Sequence, residues 1–269
     1  MARQARSNPP SPLRDRYLPT ALVTGASDGI GRAFAQKLAE VGFDLVLVAR
    51  REAALAQLAE ELREQHQVCV EARPGDLSDP AQVEAIAQAT VDMDLGLLVA
   101  AAGFGTSGPF IDGDREAVMN MIDVNCRALA QLTHIFARRM VGRGRDGIVL
   151  MSSLVAFQGV PQAASYAATK AFVQTLAEGL RVELRPRGID VLASAPGPVM
   201  SGFGRRAAMR ITSGQTSEEV AGQSVAALGR RTTVRPGLLS KLLETSLKPL
   251  PRAGRVWMMC RVMAGMTAR

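Results

Sequence analysis

Thr20-Ala21-Leu22-Val23-Thr24-Gly25-Ala26-Ser27-Asp28-Gly29-Ile30-Gly31 joins a short apolar strand to a glycine-rich turn, and a helical pattern follows to about Val41. Glycines in such a turn let the backbone approach a phosphate closely. The helix N-terminus behind them offers unpaired N–H groups and a partial positive charge. The spacing is G-x3-G-x-G rather than G-x-G-x-x-G. Glycines can also serve only a tight strand-to-helix connection, so it is their position between the first strand and a helix that makes this stretch a candidate dinucleotide cradle.

Outward from that turn, strands and helices alternate. Asp44 to Ala49 reads as the second strand, and Arg50-Arg51 follow it, where a dinucleotide fold commonly places an acid for the ribose 2′-hydroxyl. Arginine there suits the 2′-phosphate of NADP(H) and leaves NAD(H) with less to bind; the alternative is a pair of solvated arginines opening a helix. Asp28 adds negative charge beside phosphates, so its side chain is expected to point outward. A charged helix over 52–65 leads to a third strand, Val68 to Ala72, then Asp76-Leu77 and a helix over 80–91. Leu95 to Ala102 is a nearly uninterrupted apolar run ending in Gly103, as a strand buried on both faces should be.

The spacing predicts one long helix over 114–141, with Asn125 in its interior. Buried there, the amide needs partners, and packing against backbone is as good an account as function. Gly147 to Ser152 is a fifth strand, with Ser153 at its C-terminal end, where ligands sit in open α/β sheets. Ile189 to Ser194 is a sixth, before Pro196-Gly197-Pro198. Residues 200–215 suit a flexible lid, and helices are expected near 237–247 and 253–267, with a short extended piece at 232–235 between. The pattern predicts an α/β fold, one doubly wound parallel Rossmann-type sheet of about seven strands with helices on both faces, over residues 18–248.

Ser165-Tyr166-Ala167-Ala168-Thr169-Lys170 carries the candidate chemistry. Residues four apart share one face of a helix, which sets the Tyr166 phenol beside the Lys170 ammonium. A cation about 4 Å away at an effective dielectric of 20 contributes about 4 kcal/mol, enough to bring a phenol from about 10 toward neutrality before desolvation is counted. Tyr166 would then exchange protons with a substrate. With two Tyr and four Lys in the chain, a chance Y-x3-K is expected only about 0.03 times.

Composition narrows the classes. At 269 residues, 47% hydrophobic and 4% aromatic, the chain has the size of one large domain with an aliphatic core. Cys69, Cys126 and Cys260 form no paired framework, and His66 and His134 stand far apart, so no metal site and a reducing, cytoplasmic setting are expected. The net charge of +7 sits at the ends: residues 1–19 carry +3 and residues 229–269 carry +8, which leaves the middle at −4. Nucleic acid, which asks for a basic stripe on the folded body, is not expected as a partner. Residues 1–17 read as a disordered basic arm without a secretory signal. Residues 249–269 read as a basic, Met-rich helix with Trp257, which packs on the body or a second subunit, or else meets a membrane surface peripherally.

Together, T-G-x3-G-x-G, Asp76, Asn125, Ser153, the Tyr166/Lys170 pair and Pro196-Gly197 resemble, in order and spacing, the short-chain dehydrogenase/reductase superfamily over about residues 18–200. The loop, A-A-G-F-G at 101–105 and P-G-P-V at 196–199 are similar to bacterial reductases of broad substrate range; the loop also resembles that of membrane-associated steroid and acyl-chain ketoreductases. The resemblance implies a catalytic set of Asn125, Ser153, Tyr166 and Lys170: Tyr166 as proton donor or acceptor, Lys170 lowering its pKa and holding the nicotinamide ribose, Ser153 binding the substrate oxygen, Asn125 positioning a water. It implies a cofactor cradle of Gly25, Ser27, Asp28, Gly29, Ile30 and Gly31. It also implies adenine contacts from Asp76 and Leu77, a flank at Ala102 and Gly103, and nicotinamide contacts from Pro196, Val199 and Ser201. Ala100-Ala101-Ala102-Gly103 stands where the family has N-N-A-G, a departure that puts local rigidity in question. Phe104, Phe157 and Phe203 suggest an apolar pocket for a lipophilic ketone or alcohol. The family usually forms homodimers or homotetramers. The rival expectation is a silent NADP(H)-binding sensor or scaffold.

Overall fold

The computed structural model describes residues 12–237, 240–241 and 249–267. Its strands are β1 (Thr20–Thr24), β2 (Asp44–Ala49), β3 (Val70–Pro74), β4 (Leu95–Ala100), β5 (Asp146–Met151), β6 (Ile189–Ser194) and β7 (Thr233–Val234). All pair in parallel, in the order β3-β2-β1-β4-β5-β6-β7. Every residue of β2, β4 and β5 is buried. Their unbroken apolar runs reflect helices on both faces, since a parallel sheet needs crossovers that cover each side.

One face is covered by α2 (Gly29–Glu40), α3 (Glu52–His66) and, further along, Ser217–Ala227; Phe34, Leu38, Leu55, Leu58 and Val220 pack there against Val23, Leu47 and Val99. The other is covered by α4 (Pro80–Gln88), Leu129–Met140 and Ala164–Leu184, with Ile86, Leu132, Phe136 and Val173 against Leu22, Leu98 and Ile148. Ahead of β1 lies a helical turn, α1 (Pro12–Arg16).

Several expectations need correction. Residues 1–11 lie outside the described residues, but 12–17 are not a disordered arm. The Tyr17 hydroxyl donates to Asp190 Oδ2 at 2.8 Å, and Arg16 and Arg181 pair with the same carboxylate. Leu18 N–H donates to the Arg145 carbonyl at 2.9 Å. β3 starts two residues later than expected because the Asp44 carboxylate takes the Cys69 N–H at 2.9 Å, which leaves the ladder to begin at Leu45↔Val70. The long helix is three pieces: α5 (Arg115–Ile122), a π-helical stretch at Asp123–Ala128 and α6 (Leu129–Met140). The helix expected at 237–247 lies mostly outside the described residues, with 240 and 241 helical. The elements that follow are α7 (Ala164–Leu184), α8 (Phe203–Arg206), α9 (Ser217–Ala227) and α10 (Arg252–Thr267).

Candidate active site

The C-terminal ends of the strands open into one cavity of about 760 Å³ that runs from Arg50 and Asp76 to Met263. Its floor at β1 is the glycine turn. Gly25 has φ +69°, and a Cβ there would sit 2.8 Å from Ala102 Cα. A Cβ on Gly31 would sit 2.3 Å from the Gly25 carbonyl oxygen. Both positions exclude a side chain, one by conformation and contact and the other by contact alone. Ser27, Gly29, Ile30 and Gly31 line the cavity at the start of α2, whose N-cap Asp28 gives no side-chain cap. Arg51 folds over the turn, donating to the Ser27 carbonyl at 3.0 Å and its hydroxyl at 3.3 Å. Arg50 is more exposed, 3.8 Å from the Asp76 carboxylate. Asp76 accepts from the Ser78 N–H and hydroxyl. Burial works against its charge, yet those bonds and Arg50 hold its carboxyl below the usual range. A close-approach turn, an open helix start and a cationic rim fit a phosphorylated dinucleotide. Leu77, Ala102, Gly103, Pro196, Val199 and Ser201 line the same cavity. Next to Ala100 and Ala101, where the family asparagines are missing, the Ala102 N–H is held by Thr24 Oγ1 at 3.0 Å.

Ser153, Tyr166 and Lys170 meet at the middle of the cavity. Ser153 follows β5 in an extended conformation and caps the short 3-10 helix Leu154–Phe157, accepting from the Val155 N–H at 3.4 Å. Tyr166 and Lys170 project from one face of α7, both nearly buried. The Lys170 ammonium lies 5.8 Å from the Tyr166 ring centroid and donates to the Met151 carbonyl at 2.8 Å. The expected lowering of the Tyr166 pKa is not found. Burial pushes the phenol up to about 12, with a hydrogen bond to Ser153 pulling the other way. Burial likewise pulls Lys170 down to about 8, opposed by Cys126. Both groups have lost water, and for each the cost of carrying charge exceeds the neighbour's attraction.

Asn125 does not line the cavity. Fully buried in the π-helical stretch, its Oδ1 accepts from the Phe104 N–H at 3.1 Å, while Nδ2 donates to the Phe104 carbonyl at 2.8 Å and to Thr169 Oγ1 at 3.1 Å. It clasps the loop after β4 and ties that loop to α7.

The segment over 200–215, expected as a lid, is fastened at its base by the Val199↔Gln215 bridge and holds α8. Its Arg206 donates to Asp28 Oδ2 at 2.7 Å, and Arg51 stands 3.8 Å from the same oxygen. Asp28 thus turns toward that segment rather than outward. Burial opposes its charge, but the Arg206 hydrogen bond and charge outweigh it and keep the carboxyl below its ordinary value. The Phe203 ring of α8 packs with its centroid 5.4 Å from that of Tyr166, and Phe104 lines the cavity with it. Phe157 does not. Two residues past the cavity-lining Val155, its ring lies under the Arg235 guanidinium at 4.2 Å. Among the described residues no group of three His, Cys, Asp or Glu is placed to hold a metal ion.

The family profile described as short chain dehydrogenase matches residues 19–210. This chain belongs to that family. A 7β-hydroxysteroid dehydrogenase of Clostridium sardiniense is 32% identical over 189 residues, 70% of this chain and 72% of its own. A very-long-chain 3-oxoacyl-CoA reductase of Neurospora crassa is 34% identical over 176 residues, and the chain spans about half the length of that relative, 53%. A solved short-chain dehydrogenase from Sphingobium yanoikuyae in complex with NADPH superposes with a TM-score of 0.78 at 34% identity, covering 88% of this chain and 98% of that one. This short-chain dehydrogenase is an oxidoreductase acting between CH–OH and C=O.

Sequence reasoning missed part of this dehydrogenase's cavity wall. Met209 and Ile211 come from the segment after α8, Val155 from the turn after Ser153, and Met259, Val262 and Met263 from α10. The spacing of Met259 and Met263, one helical turn apart, was the available signal for the last group. Met209 and Ile211 offered none, since their segment has no period.

Proposed function

We propose that this dehydrogenase reduces a lipophilic ketone, or oxidises the corresponding secondary alcohol, with NADP(H) preferred over NAD(H). The observation that carries the reading is one continuous cavity. At one end Arg51 lies over the glycine turn; further along, Ser153, Tyr166 and Lys170 stand against Phe104, Phe203 and Met209. When bound, the nicotinamide cofactor gives a hydride to the carbonyl carbon or takes one from the alcohol. Tyr166 transfers its phenolic proton to the carbonyl oxygen, which gains the electron pair of the broken C=O π bond. Ser153 donates a hydrogen bond to that oxygen. A phenol held near 12 keeps its proton through the neutral range, so it begins as the acid that reduction needs. Lys170, fixed by the Met151 carbonyl, compensates the phenolate left behind. Asn125 acts from behind, by holding the Phe104 backbone. Gly25, Gly29, Gly31 and Arg51 hold phosphate groups, with Arg50 at the rim.

A panel of ketones offered with NADPH and with NADH, followed by cofactor absorbance, tests the reading. Tyr166→Phe is expected to lower kcat by about 10²–10⁴-fold with NADPH binding kept; retained turnover removes Tyr166 from the chemistry. Arg51→Asp is expected to lower the NADPH/NADH ratio of kcat/KM by roughly 10–100-fold, the worth of a charge-assisted bond to phosphate. An unchanged ratio there and in Arg50→Asp refutes the 2′-phosphate assignment. Subunit contact through α5 and α7 accords with exposed Met119, Ile122, Phe172 and Val182. Peripheral membrane contact through α10 has less support, because that helix turns Met259 and Met263 inward; among the described residues no helix is long and apolar enough to cross a membrane.

A further inference from the structure

After β7 the chain passes Pro236 and turns at Gly237, φ +85°, into the helical residues 240 and 241. The Lys241 N–H donates to the Gly237 carbonyl at 3.3 Å, and the turn brings Ser240 against the Pro196-Gly197 stretch after β6. Ser240 lies outside the matched 19–210 and is 1% exposed. Its Oγ accepts the Gly197 N–H at 2.9 Å. The carbonyl of that same peptide, on Pro196, accepts the Leu154 N–H at 2.9 Å. One planar peptide is therefore pinned at both ends, by the residue after Ser153 on one side and by Ser240 on the other. Ser153, Leu154, Pro196 and Gly197 line the cavity; Ser240 stands behind them. A Cβ on Gly197 would sit 2.6 Å from Ser240 Oγ, so the absence of a side chain there is what lets the hydroxyl reach the N–H. Turning the peptide away would forfeit both bonds, which gives the plane one favoured orientation.

We propose that Ser240 is a positioning residue for the reaction. By orienting the Pro196–Gly197 peptide it fixes the cavity wall after β6, which would hold the nicotinamide end of the cofactor, relative to Ser153 after β5. This rests on the reduction reading, which supplies the two reactants whose separation is being set. Hydride transfer depends steeply on such placement. A displacement of about 1 Å caused by a group remote from the chemistry costs on the order of 10²-fold in rate.

The test begins with the cofactor-free, full-length enzyme. Gly197 stands between two prolines, so its amide hydrogen is the only backbone one in 196–198 and hydrogen exchange reads it directly. Ser240→Ala is expected to speed that exchange about 3–10-fold. With NADPH and a ketone that the wild type reduces, the same variant should lower kcat about 10-fold. KM for the ketone and NADPH affinity, the latter by fluorescence titration, should stay within about threefold. NADPH carrying deuterium at the transferred position should give a larger isotope effect, because the hydride step has slowed relative to the others. Where Ser240→Ala fails to fold, Gly197→Ala disturbs the same contact from the other side, and the same changes are expected. Unchanged exchange overturns the role of Ser240, as does faster exchange with kcat and isotope effect unmoved; neither touches the reduction reading. A wild type that binds NADPH and reduces no ketone in the panel sinks that reading, and the positioning role falls with it.

Discussion

Lys170 is a cation with little water around it, and that gives the protein one pH dependence of its own. Its ammonium is held to about 8 by burial, below the ordinary 10.5. Below pH 8 it is charged both folded and unfolded. Between about 8 and 10.5 the unfolded chain binds the extra proton, so stability rises with pH across that window. At pH 7 the buried charge costs about 3 kcal/mol. Lys170→Met should therefore raise stability at pH 7 by about 1–3 kcal/mol, the range allowing for the lost bond to the Met151 carbonyl, while turnover falls. Urea denaturation at pH 7 and pH 9 checks this: the rise between them belongs to wild type and should vanish in the variant. Tyr166 acts in a higher window, contributing stability below about pH 10 that is lost as pH climbs toward 12. In wild type the reduction rate should fall as pH passes about 8 and Lys170 loses its charge. That Tyr166 and Lys170 share a face was legible from their spacing. The direction of the phenol's shift was not, because spacing says nothing of how much water each group has lost.

Among the elements, the break at Asp123–Ala128 does what an unbroken helix would not. Six residues of π geometry hold Asn125 where its amide reaches the Phe104 N–H, the Phe104 carbonyl and Thr169 together. Asn125→Leu leaves both Phe104 groups without that partner in a half-buried loop, at about 1–3 kcal/mol. The checks are chemical denaturation and a rise in KM for substrate as the loop carrying Phe104 loosens; a variant of wild-type stability and KM would show the clasp to be dispensable. The sequence marked Asn125 as an amide in need of partners but gave no sign of the π-helical stretch, which depends on the contacts made across to α7. The glycine turn was legible for the opposite reason: its strand, turn and helix are consecutive, so local chemistry specifies the geometry. Phe157 shows how little displacement defeats such reasoning. Val155 and Phe157 stand on one short 3-10 helix, and only the first faces the cavity. The Asp28–Arg206 pair spans 178 residues, beyond any local pattern.

For the molecule as a whole, the layered α/β plan and six of the seven strands followed from apolar runs and their punctuation. The closing contacts at the two ends did not. Pro12–Tyr17 reads as polar and proline-rich, yet Tyr17 is buried against Asp190, and the arginines beside it serve as partners for that carboxylate. The basic C-terminal stretch turns apolar side chains into the cavity. In both places the deciding partner is distant in sequence, so composition was a poor guide. The strand order has its own outcome during synthesis. β1 lies inside the sheet, bordered by β2 on one side and β4 on the other. A growing chain can lay β2 beside β1 early, but the opposite rim of Ala21, Leu22 and Val23 stays bare until residues 95–100 leave the ribosome. Over that interval the nascent protein offers an apolar, unpaired strand to any neighbour. Yield in a foreign host should depend on translation pace and chaperone supply across that stretch more than on the finished enzyme's stability.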